Sequence, residues 1–445
     1  MKTVNEQKLK ERFQVDKAKD FYREIERYDN SMIPIMKARG YRCIRSAERT
    51  VAFTFGEITF SRRKWKKGKK WVCPVDEYLG LEKNARYSKE LVYQIAELAT
   101  MMTYESVVRV LKMTYHVHIT KPTVVKVVKM ANELIEQYEE YQYYQEELAK
   151  DKKVSEDLIY IEGDGVCIKV SDEEGVVHNR EFAHFIVHTG SKEIESNRWA
   201  LQNKKSFISM NNAYARRKVL DYLHQNIQID EKTVLITNSD GGKGYSPYIF
   251  REFAKALRVK RHEHFWDIYH VNKEIERMYR FFPRELKNQF YQAIQQHDKK
   301  LLRTVLDTTE SLIDVEEEER FSQFSKRFLS QFQYTKTPKM RGFDYLSLGT
   351  MESQHRKITY RMKKKGMVWT PKGANAMTNM ILWVKEGRLR DLFFGSWREE
   401  YQEYKVAEEL TAGQIRLKQN RLKRQYEWKS QAKESLKQEK LKNNR

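Results

Sequence analysis

Leu158-Ile-Tyr-Ile-Glu-Gly-Asp-Gly-Val-Cys-Ile-Lys-Val170 is a run of β-branched and aromatic residues with an acid, Asp164, set between two glycines. Such enrichment reads as a strand buried on at least one face. A carboxylate inside it is unfavourable unless a partner compensates the charge. Gly163 and Gly165 leave room beside it for a ligand or another backbone. A divalent cation suits that position, provided further carboxylates join it. The remaining sequence is therefore read for acids able to share a metal with Asp164.

The chain has 445 residues, enough for two or three domains, and 40% of them are hydrophobic. Its formal net charge is +22, which in a protein without a membrane-spanning segment points to a polyanion such as nucleic acid. No apolar stretch approaches the roughly 18 residues that cross a bilayer. The first ten residues lack the apolar core of a secretory signal, so a cytoplasmic, nucleoid-associated location is expected. Cys43, Cys73 and Cys167 are too scattered for a disulfide framework or a zinc ligand set.

Residues 1–48 read as a charged helical segment whose apolar stripe is Phe13, Phe21, Tyr22, Ile25 and Tyr28. Residues 49–82 read as a hairpin in which Thr50–Phe60 is one strand. Arg62, Arg63, Lys64, Lys66 and Lys67 then give the hairpin a basic tip for phosphate contact. Residues 83–150 carry three helical periodicities. Leu91, Ile95, Leu98 and Met102 lie on one face behind a Ser88 cap. Tyr104, Val107, Val108 and Leu111 form a second face, and a third helix opens at Thr120-Lys121-Pro122. That third helix buries Val124, Val127 and Val128 and leaves Lys121, Lys126 and Lys129 outward, the pattern of a helix-turn-helix DNA reader. Ala131, Leu134, Tyr138, Tyr141 and Leu148 continue at near-heptad spacing, which suits either a dimer seam or packing on the same chain.

Beyond the Asp164 strand, Glu181–His188 reads as an antiparallel neighbour and Ala213–Gln225 as a helix. Lys232–Asp240 is a short buried strand ending in an acid and two glycines. Ligands gather at the carboxyl ends of strands in open α/β sheets, so Asp240 is the second candidate. Arg258–Trp266 is a further strand, and Asp267-Ile-Tyr-His270 opens a helix. Phe321, Phe324, Phe328 and Phe332 form a core stripe. In Gly349-Thr-Met-Glu-Ser-Gln-His355, Glu352 sits in a first helical turn with Arg356, Lys357 and Lys364 after it. An acid there agrees with the helix dipole, but it also supplies a third metal ligand with a phosphate-binding surface beside it. Asp164, Asp240 and Glu352 together suit two Mg2+ or Mn2+ ions acting on a phosphodiester. Glu162, two residues from Asp164 on the same strand face, is an accessory ligand or a structural acid.

These stretches resemble the DDE-class transposases of bacterial insertion sequences. The similarity is to the ISLre-type family, formerly an uncharacterised protein family related to Mutator-like transposases. Its carriers are Thr54–Arg63, the helical region, Ile161-Glu-Gly-Asp-Gly165, Thr237-Asn-Ser-Asp-Gly-Gly242, Asp267-Ile-Tyr-His270 and Met351-Glu-Ser-Gln-His355. The resemblance implies an α/β ribonuclease H-like core with a mixed five-stranded sheet and an all-helical insertion. It places catalytic and metal-binding acids at Asp164, Asp240 and Glu352, with Asp267 and His270 as accessory residues. It divides the core into 151–282 and 341–400 around an insertion at 283–340, with a basic tail at 401–445. The implied partners are double-stranded DNA (terminal inverted repeats and target) and a second or further copy of the chain. The implied activity is metal-dependent hydrolysis at element ends followed by strand transfer. A nuclease of the same fold that never joins, and a DNA-binding regulator with inert acids, are the competing expectations.

Overall fold

The computed structural model describes residues 4–145, 153–196, 198–364 and 366–408. The chain divides into a unit of residues 1–99, 103–150 and 386–445 and a unit of residues 100–102 and 151–385. The expected basic tail beyond residue 408, and Leu148 of the heptad pattern, lie outside the described residues. No described helix is long and apolar enough to cross a membrane.

The first unit opens on α1 (Glu6–Ala38), where the Asn5 side chain accepts from the Lys8 N–H. An antiparallel sheet follows, β1 (Arg42–Phe53), β2 (Gly56–Lys67) and β3 (Lys70–Val72). The sequence reading is corrected here, because Thr54 and Phe55 break the 50–60 segment and the basic residues run along β2. Folding back at that point brings Phe53, Phe55 and Phe60 around Phe21 of α1, with centroids 5.2, 5.6 and 5.7 Å away. Phe13 and Tyr22 stay exposed, so only part of the expected α1 stripe is core. Next come α2 (Pro74–Tyr78), α3 (Lys89–Met101), α4 (Tyr104–Tyr115) and α5 (Lys121–Gln145). Ser88 and Thr103 cap α3 and α4, accepting from the Leu91 and Ser106 N–H groups.

The second unit contains β4 (Val154–Ser155), β5 (Leu158–Ser171), β6 (Val177–His188), β7 (Ser191–Glu195), β8 (Arg198–Leu201) and β9 (Lys205–Ser209). After α6 (Asn212–Asn226) and β10 (Ile227–Gln228) come β11 (Val234–Ser239), α7 (Pro247–Ala256) and β12 (Arg261–Trp266). The main sheet has five strands in the order β12-β11-β5-β6-β9. β5, β6 and β9 pair antiparallel, while β11 and β12 add parallel to β5. Alternation puts Ile159, Ile161, Phe185 and Leu235 on one face against Val219 and Leu223 of α6 and Phe250 of α7. Tyr160, Ile236 and Phe265 occupy the other face with Leu346.

Helices α8 (Ile268–Met278), α9 (Arg284–Gln296), α10 (Lys299–Glu310) and α11 (Glu318–Gln331) follow β12 and enclose a core of their own. Phe290, Phe321, Phe324 and Phe328 lie at its centre, so the phenylalanine stripe is core. The unit closes with α12 (Met351–Met362) and α13 (Pro371–Lys385). The last helices, α14 (Leu389–Phe394) and α15 (Trp397–Glu408), belong to the first unit, so the segment expected as 341–400 changes unit after Lys385. Trp397 of α15 packs on Tyr138 and Tyr141 of α5, at 5.1 and 5.9 Å between centroids. The same chain thus covers this part of the face read as a dimer seam.

The glycines around Asp164 have a different use from the one expected. A Cβ on Gly163 would stand 2.7 Å from the Phe185 ring, and one on Gly165 would stand 2.7 Å from Cδ of Glu181. Side chains of β6 fill the space that the sequence left open for a ligand. Gly163→Ala is expected to destabilise by roughly 1–3 kcal/mol, because the buried ring cannot retreat. Gly165→Ala is expected to lower the denaturant midpoint much less, since Glu181 is exposed and swings away. Equal midpoints for the two variants would show that the crowding at Phe185 is unimportant.

Candidate active site

Strand register assembles the site. Parallel pairing sets Ser239 of β11 opposite Gly163 of β5, and Trp266 of β12 opposite Ser239. The next residue on each strand is an aspartate, so Asp164, Asp240 and Asp267 come level across three neighbouring strands. The backbone N–H of Asp267 donates to the Ser239 carbonyl at 2.8 Å, which holds this level.

The three carboxylates have different surroundings. Asp164 has a side chain only 16% exposed, and the Gly165 N–H donates to its Oδ1 at 2.7 Å. Burial first, and then the charge of Asp240, push its pKa up to about 7. Asp240 Oδ1 accepts from the Gly242 N–H at 2.8 Å. Its backbone carbonyl accepts from the Arg327 guanidinium of α11, which also forks onto both oxygens of Glu274 at 3.1 and 3.0 Å. Asp267 is the N-cap of α8, accepting from the Tyr269 and His270 N–H groups at 2.9 and 3.3 Å.

Two histidines border the acids. His270 Nδ1 is 3.6 Å from Asp267 Oδ1, and that carboxylate raises its pKa, with further help from Asp164 and Asp240. His355 Nδ1 lies 3.7 Å from Asp164 Oδ2, but burial, Lys363 and His270 lower its pKa to about 4. At neutral pH His355 is uncharged and leaves Asp164 uncompensated, whereas His270 is the nearby group disposed to carry positive charge. His355 lay within the quoted 351–355 motif without a role. Arg327 lay in the phenylalanine-striped helix, where nothing local marks it as reaching a strand end.

Glu162 and Glu352 do not join this group. Glu162 is fully buried and accepts from the Gly349 and Thr350 N–H groups at 2.8 and 3.0 Å, from the Thr350 hydroxyl at 2.5 Å, and from His188 at 3.3 Å when that nitrogen carries its proton. It is a structural acid that moors the N-terminus of α12 to β5. Glu352 projects from α12 with its side chain 64% exposed, and its nearest cation is Arg356 at 3.9 Å. The inward face of α12 carries Met351, Gln354, His355 and Ile358 instead. Among the described residues no group of three or more His, Cys, Asp or Glu side chains is placed to hold a metal ion. The expected Asp164–Asp240–Glu352 ligand set is therefore assembled only in its first two members.

The model of the Uncharacterised protein family (UPF0236) matches residues 4–400. The chain belongs to that family. A relative described as "UPF0236 protein in vanSb 3'region", from Streptococcus gallolyticus, is 30% identical over 381 residues, covering 85% of this chain and 80% of that protein. Among solved structures, the Drosophila P element transposase strand transfer complex aligns over 70% of this chain and 80% of that one, at 11% identity and a TM-score of 0.25. That likeness is too slight to bear on fold or activity.

Within this member of the family, several basic residues expected at a nucleic-acid surface have internal duties. Arg62 is buried, pairs with Asp76 at 2.9 Å and donates to the carbonyls of Ala47 and Glu48. Arg63 pairs with Asp29 at 2.8 Å, and the Lys67 ammonium donates to the Arg39 carbonyl at 2.7 Å. Burial takes Arg62 out of the expected basic surface, while Arg63 stays partly exposed and Lys67 exposed along β2. Lys64 is half-buried on β2, and Lys66 stacks its ammonium over Trp71. Lys121 pairs with Glu105 at 2.9 Å, whereas Lys126 and Lys129 are exposed on α5 beside the exposed Val125. Arg356, Lys357 and Lys364 are on the surface, the first near Glu352 and the last over Tyr360.

Asp164 binds its proton more tightly in the folded than in the unfolded chain. Its contribution to stability is thus complete below the ordinary carboxylate range and is lost as pH rises to about 7. Asp164→Asn is expected to be more stable than the parent at pH 8, on the order of 2–4 kcal/mol. The gap is expected to close at pH 4, as read from thermal midpoints. A variant no more stable than its parent at pH 8 would remove charge repulsion from this account.

Proposed function

We propose that the protein is a DDE-type transposase with a ribonuclease H-like core, cutting element ends and joining the freed 3′-hydroxyl to target DNA. The observation that carries this reading is the level placement of Asp164, midway along β5, and Asp240, just beyond the end of the adjacent parallel β11, with the Asp164 carboxyl pushed up by burial and by the charge of Asp240. Counting core strands as β5, β6, β9, β11 and β12 supports it further. Asp164 then lies on the first strand, Asp240 follows the fourth, and Glu352 is on a late helix beyond a helical insertion, the order that the DDE reading requires. The net charge of +22 suits a DNA substrate.

Two oxygen-only ligands that repel each other fit one hard cation, which binds through one or two carboxylates together with water and substrate phosphate. When bound, Mg2+ or Mn2+ would activate a water or hydroxyl and polarise the phosphodiester. Asp164 and Asp240 would hold it from two strands, with Arg327 and the Gly242 N–H keeping the Asp240 loop in place. His270 would supply positive charge beside them, steadied by Asp267. A second ion through Glu352 does not fit the present arrangement, since that carboxylate faces solvent. This last point favours one alternative, a DNA-binding regulator whose acid pair is inert.

The two readings separate in one experiment. Full-length protein, DNA carrying the element ends and Mg2+ are expected to yield nicked and joined products. Asp164→Asn and Asp240→Asn are each expected to lose at least a thousandfold in rate while binding DNA as the parent does. Mg2+ is expected to raise the thermal midpoint of the parent and not of Asp164→Asn. Cleavage by Asp164→Asn at the parental rate would sink the proposal. DNA binding with no metal-dependent product would establish the regulator.

A further inference from the structure

Gln354 on the inward face of α12 is buried, and its Oε1 accepts from two ammonium groups at once. Lys357 Nζ donates at 2.7 Å and Lys204 Nζ, from the turn before β9, at 3.3 Å. Neither lysine has an ion-pair partner among the described residues. Flexible lysines at a surface normally swing apart and hydrate separately. Here a neutral amide oxygen gathers two cations and supplies no countercharge. Partial burial of the ammonium end first, then Lys204, with Lys385 adding to the repulsion, lowers the Lys357 pKa to about 8 although the residue as a whole is exposed.

The neighbouring side chains are equally short of partners. His184, opposite Asp164 in the β5–β6 register, is 1% exposed and has no hydrogen bond to either ring nitrogen among the described residues. It stacks on His355 at 5.1 Å between centroids and is disfavoured as a cation by burial, His355, Lys204 and Lys357. His355 in turn lies 3.7 Å from Asp164. The lysine pair is thus linked to the acidic pair through two neutral rings.

We infer that Lys204 and Lys357, held together by Gln354 on the His184 side of Asp164, form a phosphate-binding site that grips a phosphodiester of the DNA strand being cut. A phosphate oxygen provides what the amide lacks, a negative charge shared by both ammoniums. The assignment to DNA rests on the function proposed above; the affinity for phosphate does not. The acids would hold the cation and the lysines the strand, on opposite sides of His355.

The test uses the full-length protein, its Lys204→Met and Lys357→Met variants, and Lys204→Arg as the charge-keeping control. Inorganic phosphate, set against chloride at matched ionic strength, is expected to raise the thermal midpoint of the parent and of Lys204→Arg saturably. Lys204→Met is expected to melt above the parent in chloride, because one repelling charge has gone, and to be indifferent to phosphate. With a labelled duplex, each Met variant is expected to bind several-fold more weakly and to reduce the salt slope by about 1. A phosphate response without any change in DNA binding would assign the site to a free phosphate ligand. A parent indifferent to phosphate, or Met variants that respond as the parent does, would overturn the inference. A parent that responds to phosphate but never cleaves DNA, with the response lost in the Met variants, would refute the transposase reading and leave this site standing.

Discussion

Two like charges that cannot escape each other are the constraint behind the second unit. Asp164 and Asp240 both follow the Gly163–Ser239 rung of one parallel ladder, and neither strand can slip by one residue without reversing every side chain across the sheet. Hydrophobic packing on both faces sets that register, so the repulsion between the carboxylates is imposed by the core. A fold that keeps such an arrangement retains an unfavourable local charge inside a stable sheet. Strain of this kind is characteristic of sites that await a charged ligand.

The neighbouring groups divide the work around that pair. Asp267 shares the same level but spends its oxygens on the first turn of α8, and so serves as a cap that orients His270. Glu162 spends its oxygens on Gly349 and Thr350, and so decides where α12 begins. Arg327 reaches from the helical insertion to the backbone of Asp240, tying a separate hydrophobic core to the strand end. Chemically similar acids on neighbouring strands of one sheet thereby acquire unlike roles through their hydrogen bonds.

Period-two patterning made the buried strands legible, and helical spacing, with the Ser88 cap and the helix start at Asp267–His270, made many helices legible. Asp164 and Asp240 stood out because charge interrupts apolar runs there. What stayed hidden depends on partners distant in sequence. The break in the strand run at 50–60 is marked only by Gly56, whose positive φ opens β2, and one glycine is a weak signal inside an otherwise apolar alternation. Arg62 and Arg63 look like a phosphate grip until Asp76 and Asp29 are seen beside them. Gly163 resembles an open cradle because Phe185, which fills it, arrives from β6. The direction of Glu352 depends on how α12 is rotated, and Met351, Gln354, His355 and Ile358 take the inward face.

The mooring of α12 by Glu162 spans 187 residues between donor and acceptor. Loop-closure entropy grows only with the logarithm of length, so the stretch contributed by the helical insertion adds roughly a few tenths of a kcal/mol to that closure. The insertion also buries its own apolar surface and does not hang as a slack tether. A whole helical body can therefore be spliced between the last strand and the returning helix at almost no thermodynamic expense. The sheet tolerates such an accretion because one buried carboxylate registers the chain when it comes back.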